Sequence, residues 1–248
     1  LGIRMYYGKY PDISAIKEVR CDNPLDSFDE KCLKNINTAQ STAHHFIKEA
    51  EWLIITLGSS FSYKLAESIL PVANCHKAPA QQFIKHLCSI EETVTALDGT
   101  IHQLFHFNKK LNIIFTISPV RHLRDGVVEN NRSKARLIEA VHHLVNKFDR
   151  LHYFPAYELV VDVLRDYRFY DIDLAHPNYA ATQFVLEKFS ANCLDDAAKK
   201  LSEEIKKITI AANHKAFNPQ SQQHKQFLRT QLERTQHLQQ QYPFLDFS

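Results

Sequence analysis

Three short apolar runs constrain this chain more than any other feature: Leu53-Ile54-Ile55-Thr56-Leu57, Ile113-Ile114-Phe115-Thr116-Ile117 and Leu151-His152-Tyr153-Phe154. The first two are rich in β-branched residues and continuous. A strand with one face in water alternates apolar and polar residues, because successive side chains point to opposite faces. A continuous run fits a strand covered on both faces, as in a parallel sheet. Helical patterns lie around them, at 39–50, at 80–87 and 90–105, at 133–148 and at 157–165. In the fourth, Ile138, Val141, Leu144, Val145 and Phe148 form one stripe. Strands alternating with helices predict an α/β fold with a doubly wound, mostly parallel sheet.

Such sheets bind ligands beyond the carboxyl ends of their strands. Those ends read Gly58-Ser59-Ser60, Ser118-Pro119-Val120-Arg121-His122 and Pro155-Ala156-Tyr157-Glu158, all polar and turn-forming. The chain has only 5 glycines, so Gly58 directly after a strand marks either a close backbone approach or an ordinary strand-to-helix turn. Arg121 and His122 are candidates for holding an anionic substrate. The competing reading pairs Arg121 with Asp125 or Glu158.

Composition excludes several function classes. The apolar share, 44%, is enough for a sizeable core, and 30 basic against 28 acidic side chains give +2, with no nucleic-acid footprint. No run of about 18 apolar residues predicts a membrane span. The five cysteines, Cys21, Cys32, Cys75, Cys88 and Cys193, are scattered and odd in number, which points to reduced thiols and a cytoplasmic location. No metal site or cofactor is expected. His44-His45 and His142-His143 are adjacent pairs that do not share a helix face, and Cys75 beside His76 lacks the spacing of a thiol nucleophile with its base. There is no Gly-rich phosphate-binding pattern.

The segment Asp171-Ile172-Asp173-Leu174-Ala175-His176-Pro177-Asn178 carries the most chemistry. An aspartate three residues before a histidine can accept the Nδ1 proton of the imidazole, which fixes its tautomer and leaves Nε2 free as a base. The plainer reading makes the aspartate a helix cap. Beyond it, 179–189 and 194–210 read as helices, the first capped by Asn178. Nearby, Arg165, Asp166 and Arg168 read as an ion-pair network bracing the turn. The tail from residue 213 is Gln- and His-rich, with Phe227, Leu228, Leu232 and Leu238 at roughly helical spacing. Its apolar end suggests docking on the body of the protein or on a second copy.

Six motifs in series resemble the GSCFA domain family of bacteria, especially Bacteroidetes. They are Ile55-Thr56-Leu57-Gly58-Ser59, Asn74-Cys75-His76-Lys77, Thr116-Ile117-Ser118-Pro119-Val120-Arg121-His122, Tyr153-Phe154-Pro155-Ala156-Tyr157-Glu158, Leu164-Arg165-Asp166-Tyr167-Arg168-Phe169-Tyr170 and Asp173-Leu174-Ala175-His176-Pro177. That family is similar to the SGNH, or GDSL-like, hydrolases. The resemblance implies a flavodoxin-like three-layer α/β/α domain over 1–212 with a helical extension over 213–248. It implies a Ser-His-Asp site, with Asp173 as orienting acid, His176 as general base and Gly58 in the oxyanion block. Ser60 stands where that block usually has asparagine, and Asn74 is a candidate substitute.

The Gly-Ser-Cys-Phe-Ala motif that names the family has no match before residue 35. Gly58-Ser59-Ser60-Phe61-Ser62 is similar letter by letter, which makes Ser59 a candidate nucleophile. Its context instead matches the family's later Thr-Leu-Gly-Thr block, so the nucleophilic serine is expected upstream of Leu1. The resulting expectation is an esterase or deacylase, or an acyltransferase, acting on an acylated carbohydrate or similar ester. The alternative is a non-catalytic module that binds a glycan or other small ligand on the same fold.

Overall fold

The computed structural model describes residues 30–69, 71–72, 78–212, 214 and 220–247. The chain divides into two compact units, Leu1–Val185 and Leu186–Ser248.

The first unit is built on a parallel sheet of β1 (Trp52–Leu57), β5 (Asn112–Ile117) and β6 (Leu151–Phe154), in the order β1-β5-β6. Its strands are the three apolar runs. β5 is central: Ile113, Phe115 and Ile117 are fully buried, as its continuous sequence requires. The register sets Leu53, Ile113 and Leu151 side by side, then Ile55, Phe115 and Tyr153. That face packs against α2 (Ile90–Phe107) through Ile101 and α3 (Gly126–Lys147) through Leu137, Val141 and Leu144. Phe46 of α1 (Glu30–Glu49) joins the same core. On the opposite face Ile114, Thr116 and Phe154 are also buried. Truncating Phe115 to alanine would cost about 3–5 kcal/mol.

A second sheet is inserted between β1 and α2, formed by β2 (Phe61–Leu65), β3 (Pro71–Val72) and β4 (Phe83–Leu87) in the order β3-β2-β4. It corrects the helix expected at 80–87. Ala80–Gln82 is a 3-10 turn, and the next five residues pair antiparallel with β2, Phe61 opposite Leu87 and Leu65 opposite Phe83. Arg136 of α3 ties this insert down by donating to the Leu87 and Cys88 carbonyls at 2.9 and 2.7 Å. α2 opens on a capping box, in which Ser89 Oγ accepts the Glu92 N–H and the Glu92 carboxylate accepts the Ser89 N–H.

After β6 the chain makes one α-helical turn, α4 (Ala156–Glu158), and then a π-helical stretch, Leu159–Leu164. Arg165 ends that stretch in the left-handed region at φ 50°. α5 (Tyr179–Cys193) crosses the division between the units. In the second unit α6 (Asp196–Ala212) and α7 (Gln222–Gln241) are joined by the Arg234–Glu204 ion pair at 3.7 Å. Ser221 caps α7, accepting the His224 N–H at 3.2 Å. Leu238 is buried there, while Leu228 and Leu232 are exposed. The protein is thus mixed α/β: a three-stranded parallel sheet packed by helices, a small antiparallel sheet, and C-terminal helices. No helix among the described residues is long and apolar enough to cross a membrane.

Candidate active site

The Asp-x-x-His segment is a closed loop. Tyr170 and Pro177 form an isolated antiparallel bridge. The Asp171 N–H donates to the His176 carbonyl at 2.8 Å, and the Asn178 N–H to the Phe169 carbonyl at 2.9 Å. At the tip the Leu174 N–H donates to the Asp171 carbonyl at 2.9 Å, which places Leu174 at φ 54°. That left-handed conformation costs a non-glycine residue about 1–2 kcal/mol.

Inside the loop, Asp173 Oδ1 accepts the N–H groups of Ala175 and His176 at 2.9 and 3.0 Å. Asp173 Oδ2 lies 2.5 Å from His176 Nδ1. The backbone donors of His176 and Ala175, followed by the imidazole, hold the Asp173 carboxyl down at about 2. The carboxylate therefore stays ionised as an acceptor for Nδ1, and in the neutral imidazole a proton held there leaves the lone pair on Nε2. Among the described residues nothing hydrogen-bonds Nε2. His176 and Asp173 are 60% and 45% exposed, open to a ligand. The cap reading falls to Asn178, whose Oδ1 accepts the Ala181 N–H of α5 at 3.2 Å.

Arg121 braces this loop from outside. Its N–H donates to the Ala175 carbonyl at 3.2 Å, and its Nη1 donates to the Leu174 carbonyl at 3.2 Å. Nη2 donates to the Tyr170 hydroxyl at 3.3 Å, and the guanidinium lies over the Tyr170 ring at 4.4 Å. It pairs with neither Asp125 nor Glu158. Asp125 pairs with Lys85, and Glu158 accepts the Tyr153 hydroxyl at 2.8 Å. Of the expected ion-pair network, Asp166 and Arg168 pair at 2.9 Å, and the Arg168 carbonyl accepts from Asn178 Nδ2 at 2.7 Å.

The next residue of the same loop, His122, turns the other way. Its Nε2 lies 3.2 Å from the Gly58 carbonyl at the end of β1, and its N–H donates to Asn130 Oδ1 at 3.0 Å. The 118–122 loop therefore touches both the Asp173–His176 loop and the Gly58 turn. At that turn Ser60 is buried, and its N–H donates to Ser133 Oγ at 2.8 Å. Ser59 Oγ accepts the Phe61 N–H at 3.0 Å and lies 3.3 Å from Ser133 Oγ. No hydrogen bond joins Ser59 to His176 among the described residues. Asn74, Cys75 and His76 lie outside the described residues.

Sequence reasoning missed the residues that hold these strand ends. Asn130, Ser133 and Lys134 occupy the buried face of α3, at 6%, 1% and 1% exposure. Lys134 Nζ donates to the Gly58 and Ser118 carbonyls, both at 2.6 Å, and bonds no carboxylate among the described residues. Burial alone lowers its ammonium to about 8. The signal was there in the helix stripe. Stepping back from Leu144, Val141 and Leu137 by three or four residues reaches Lys134, Ser133 and Asn130, polar residues at core-facing positions.

A metal has one candidate cluster among the described residues, His86, Cys88 and Glu92, whose ligand atoms lie within 4.8 Å of one another. Those atoms are already engaged. Glu92 accepts from Ser89 N–H at 2.7 Å and meets His86 Nε2 at 2.8 Å, and the Cys88 thiol donates to Ser62 Oγ at 3.3 Å. His142 packs its ring on Tyr153 at 4.7 Å and belongs to no such cluster.

No curated protein matches this sequence. Two family models do: that of the GSCFA family over residues 10–189, and that of the GSCFA domain protein C-terminal domain over residues 205–248. The first spans the parallel sheet, the Gly58 turn, the 118–122 loop and the Asp173–His176 loop, well over half of the chain, so the protein belongs to the GSCFA family.

Proposed function

We propose that this protein is an SGNH-type serine hydrolase acting on an ester, an acyl group on a carbohydrate or a similar alcohol. One observation carries the reading: Asp173 Oδ2 fixes His176 Nδ1 at 2.5 Å while Nε2 stays unbonded among the described residues. A serine hydroxyl gives its proton to Nε2 as its oxygen attacks the acyl carbonyl, and Asp173 stabilises the imidazolium. Backbone amides at the strand ends hold the oxyanion. The imidazolium then protonates the leaving alcohol. Water, or a second hydroxyl in an acyl transfer, is deprotonated by His176 and releases the acyl group. Tyr167 and Tyr179, 63% and 76% exposed and flanking the loop in sequence, offer amphipathic faces suited to a sugar ring.

The nucleophile in this reading is a serine outside the described residues. Ser59 is disfavoured because its hydroxyl is spent on Phe61 N–H and Ser133. Fluorophosphonate labelling mapped by peptide mass tests the assignment. A labelled serine in the amino-terminal segment, lost in His176→Ala, supports it. A label on Ser59, Ser60 or Ser62 would move the nucleophile to the Gly58 turn. No label on any serine would sink the hydrolase and leave a ligand-binding module.

A further inference from the structure

Lys134 is an anomalous side chain among the described residues. It is 1% exposed and bonds no carboxylate among the described residues, yet its ammonium group reaches two carbonyls on adjacent strand ends. A buried charge without a counter-ion is costly, and an apolar residue would serve packing better. Stitching β1 to β5 does not require it either, since the Ser118 N–H already donates to the Leu57 carbonyl at 2.9 Å. The position of its acceptors suggests a different purpose. Gly58 is the first residue past β1, and its carbonyl takes both Lys134 Nζ at 2.6 Å and His122 Nε2 at 3.2 Å.

A trans peptide is planar, with its C=O and N–H pointing in opposite directions. Fixing the Gly58 carbonyl on Lys134 therefore fixes the Ser59 N–H on the side away from α3. Among the described residues that N–H has no acceptor, whereas the next one, on Ser60, is taken by Ser133. We propose that Lys134 is a positioning residue, whose ammonium group orients and polarises the Gly58–Ser59 peptide so that the Ser59 N–H serves as an oxyanion donor. The proposal rests on the hydrolase reading for the oxyanion and on geometry alone for the orientation. A cation on the carbonyl end of a peptide withdraws electron density from it and strengthens the N–H as a donor, an effect magnified by the low local dielectric. The group that shares the acceptor, His122, is the titratable neighbour whose contribution has to be separated.

Two readouts on isotopically labelled full-length protein decide it: the Ser59 amide resonance from pH 6 to 10, and the rate of fluorophosphonate labelling. In the wild type and in His122→Asn the Ser59 amide is expected to titrate with a midpoint near that of Lys134, about 8. In Lys134→Met the inflection is absent, and labelling slows on the order of 100-fold, the usual cost of one oxyanion donor. Should Lys134→Met fail to fold, the wild type and His122→Asn decide alone. A Ser59 amide with no inflection around pH 8, or one abolished by His122→Asn, overturns the proposal. A wild type that labels while Ser59 ignores Lys134 keeps the hydrolase and discards this role. A wild type that never labels while Ser59 follows Lys134 discards the hydrolase and keeps the peptide positioning.

Discussion

Arg121 donates through Nη1 to the carbonyl of Leu174, the one residue of the Asp173–His176 loop in the left-handed region. The strained tip of the loop is thereby held by a charge-assisted hydrogen bond from a different strand end. A second bond from the Arg121 N–H to Ala175 makes the contact two-point. This arrangement aims His176 without burying it.

Arg121→Ala should accordingly disorder the loop while leaving the sheet intact. The loss expected is about 1.5–3 kcal/mol of local stability, as for hydrogen bonds to charged groups. Arg121→Lys should recover little of it, because a single ammonium cannot reproduce the planar fork over Tyr170. Amide exchange at Ala175 and His176, compared with exchange in β5, measures both effects.

Leu174 should prefer to be glycine. Leu174→Gly relieves the left-handed cost and is expected to leave stability unchanged or raise it by up to about 1 kcal/mol. Leu174→Val adds a β-branch in the same region and should lower it by about 1–2 kcal/mol. Urea unfolding of the two variants beside the wild type gives the sign.

The acid behaviour of the loop follows from Asp173. Its carboxyl is held at about 2 in the folded protein, below its ordinary 3.8, chiefly by the His176 and Ala175 backbone donors. A depressed carboxyl contributes stability that is complete above the ordinary value and is lost as pH falls through the folded one. Loop amides followed by NMR should hold their positions down to about pH 4 and shift between there and pH 2. In Asp173→Asn that transition disappears. Turnover in the same variant should fall on the order of 10⁴-fold, since a carboxamide cannot enforce the Nδ1-H tautomer.

Lys134 predicts the opposite limb. Its folded value of about 8 lies below its ordinary 10.5, so between these values the unfolded chain binds the extra proton. Stability relative to Lys134→Met should therefore rise with pH across that window, and the wild type's penalty for a buried charge is full below pH 8. Denaturant midpoints for the two proteins at pH 7 and pH 10 test the sign.

The parallel sheet was legible because its strands are continuous apolar runs, and burial on both faces leaves that mark on any sequence. β4 was not. Phe83, Ile84 and Leu87 recur at i, i+1 and i+4, a helical spacing, and only the pairing with β2 settles the conformation. The Asp173–His176 pair could be read because its geometry is local, three residues within one turn. Lys134 could not, because its meaning depends on Gly58 and Ser118, distant in sequence and brought near only when α3 docks on the sheet.

That difference in reach sets an order of assembly. Within itself the histidine arm is closed by partners no more than ten residues apart, from Asp173–His176 to Arg168–Asn178, and its brace, Arg121, reaches Leu174 from 53 residues away. The Gly58 turn is held by partners 64 to 76 residues away. Contacts between near neighbours form early, and those that close long loops form late. A half-folded chain would thus carry the Asp173–His176 pair before Arg121 aims it and before Ser133 and Lys134 hold the Gly58 turn, and the two halves of the candidate site would meet only once α3 docks on the sheet.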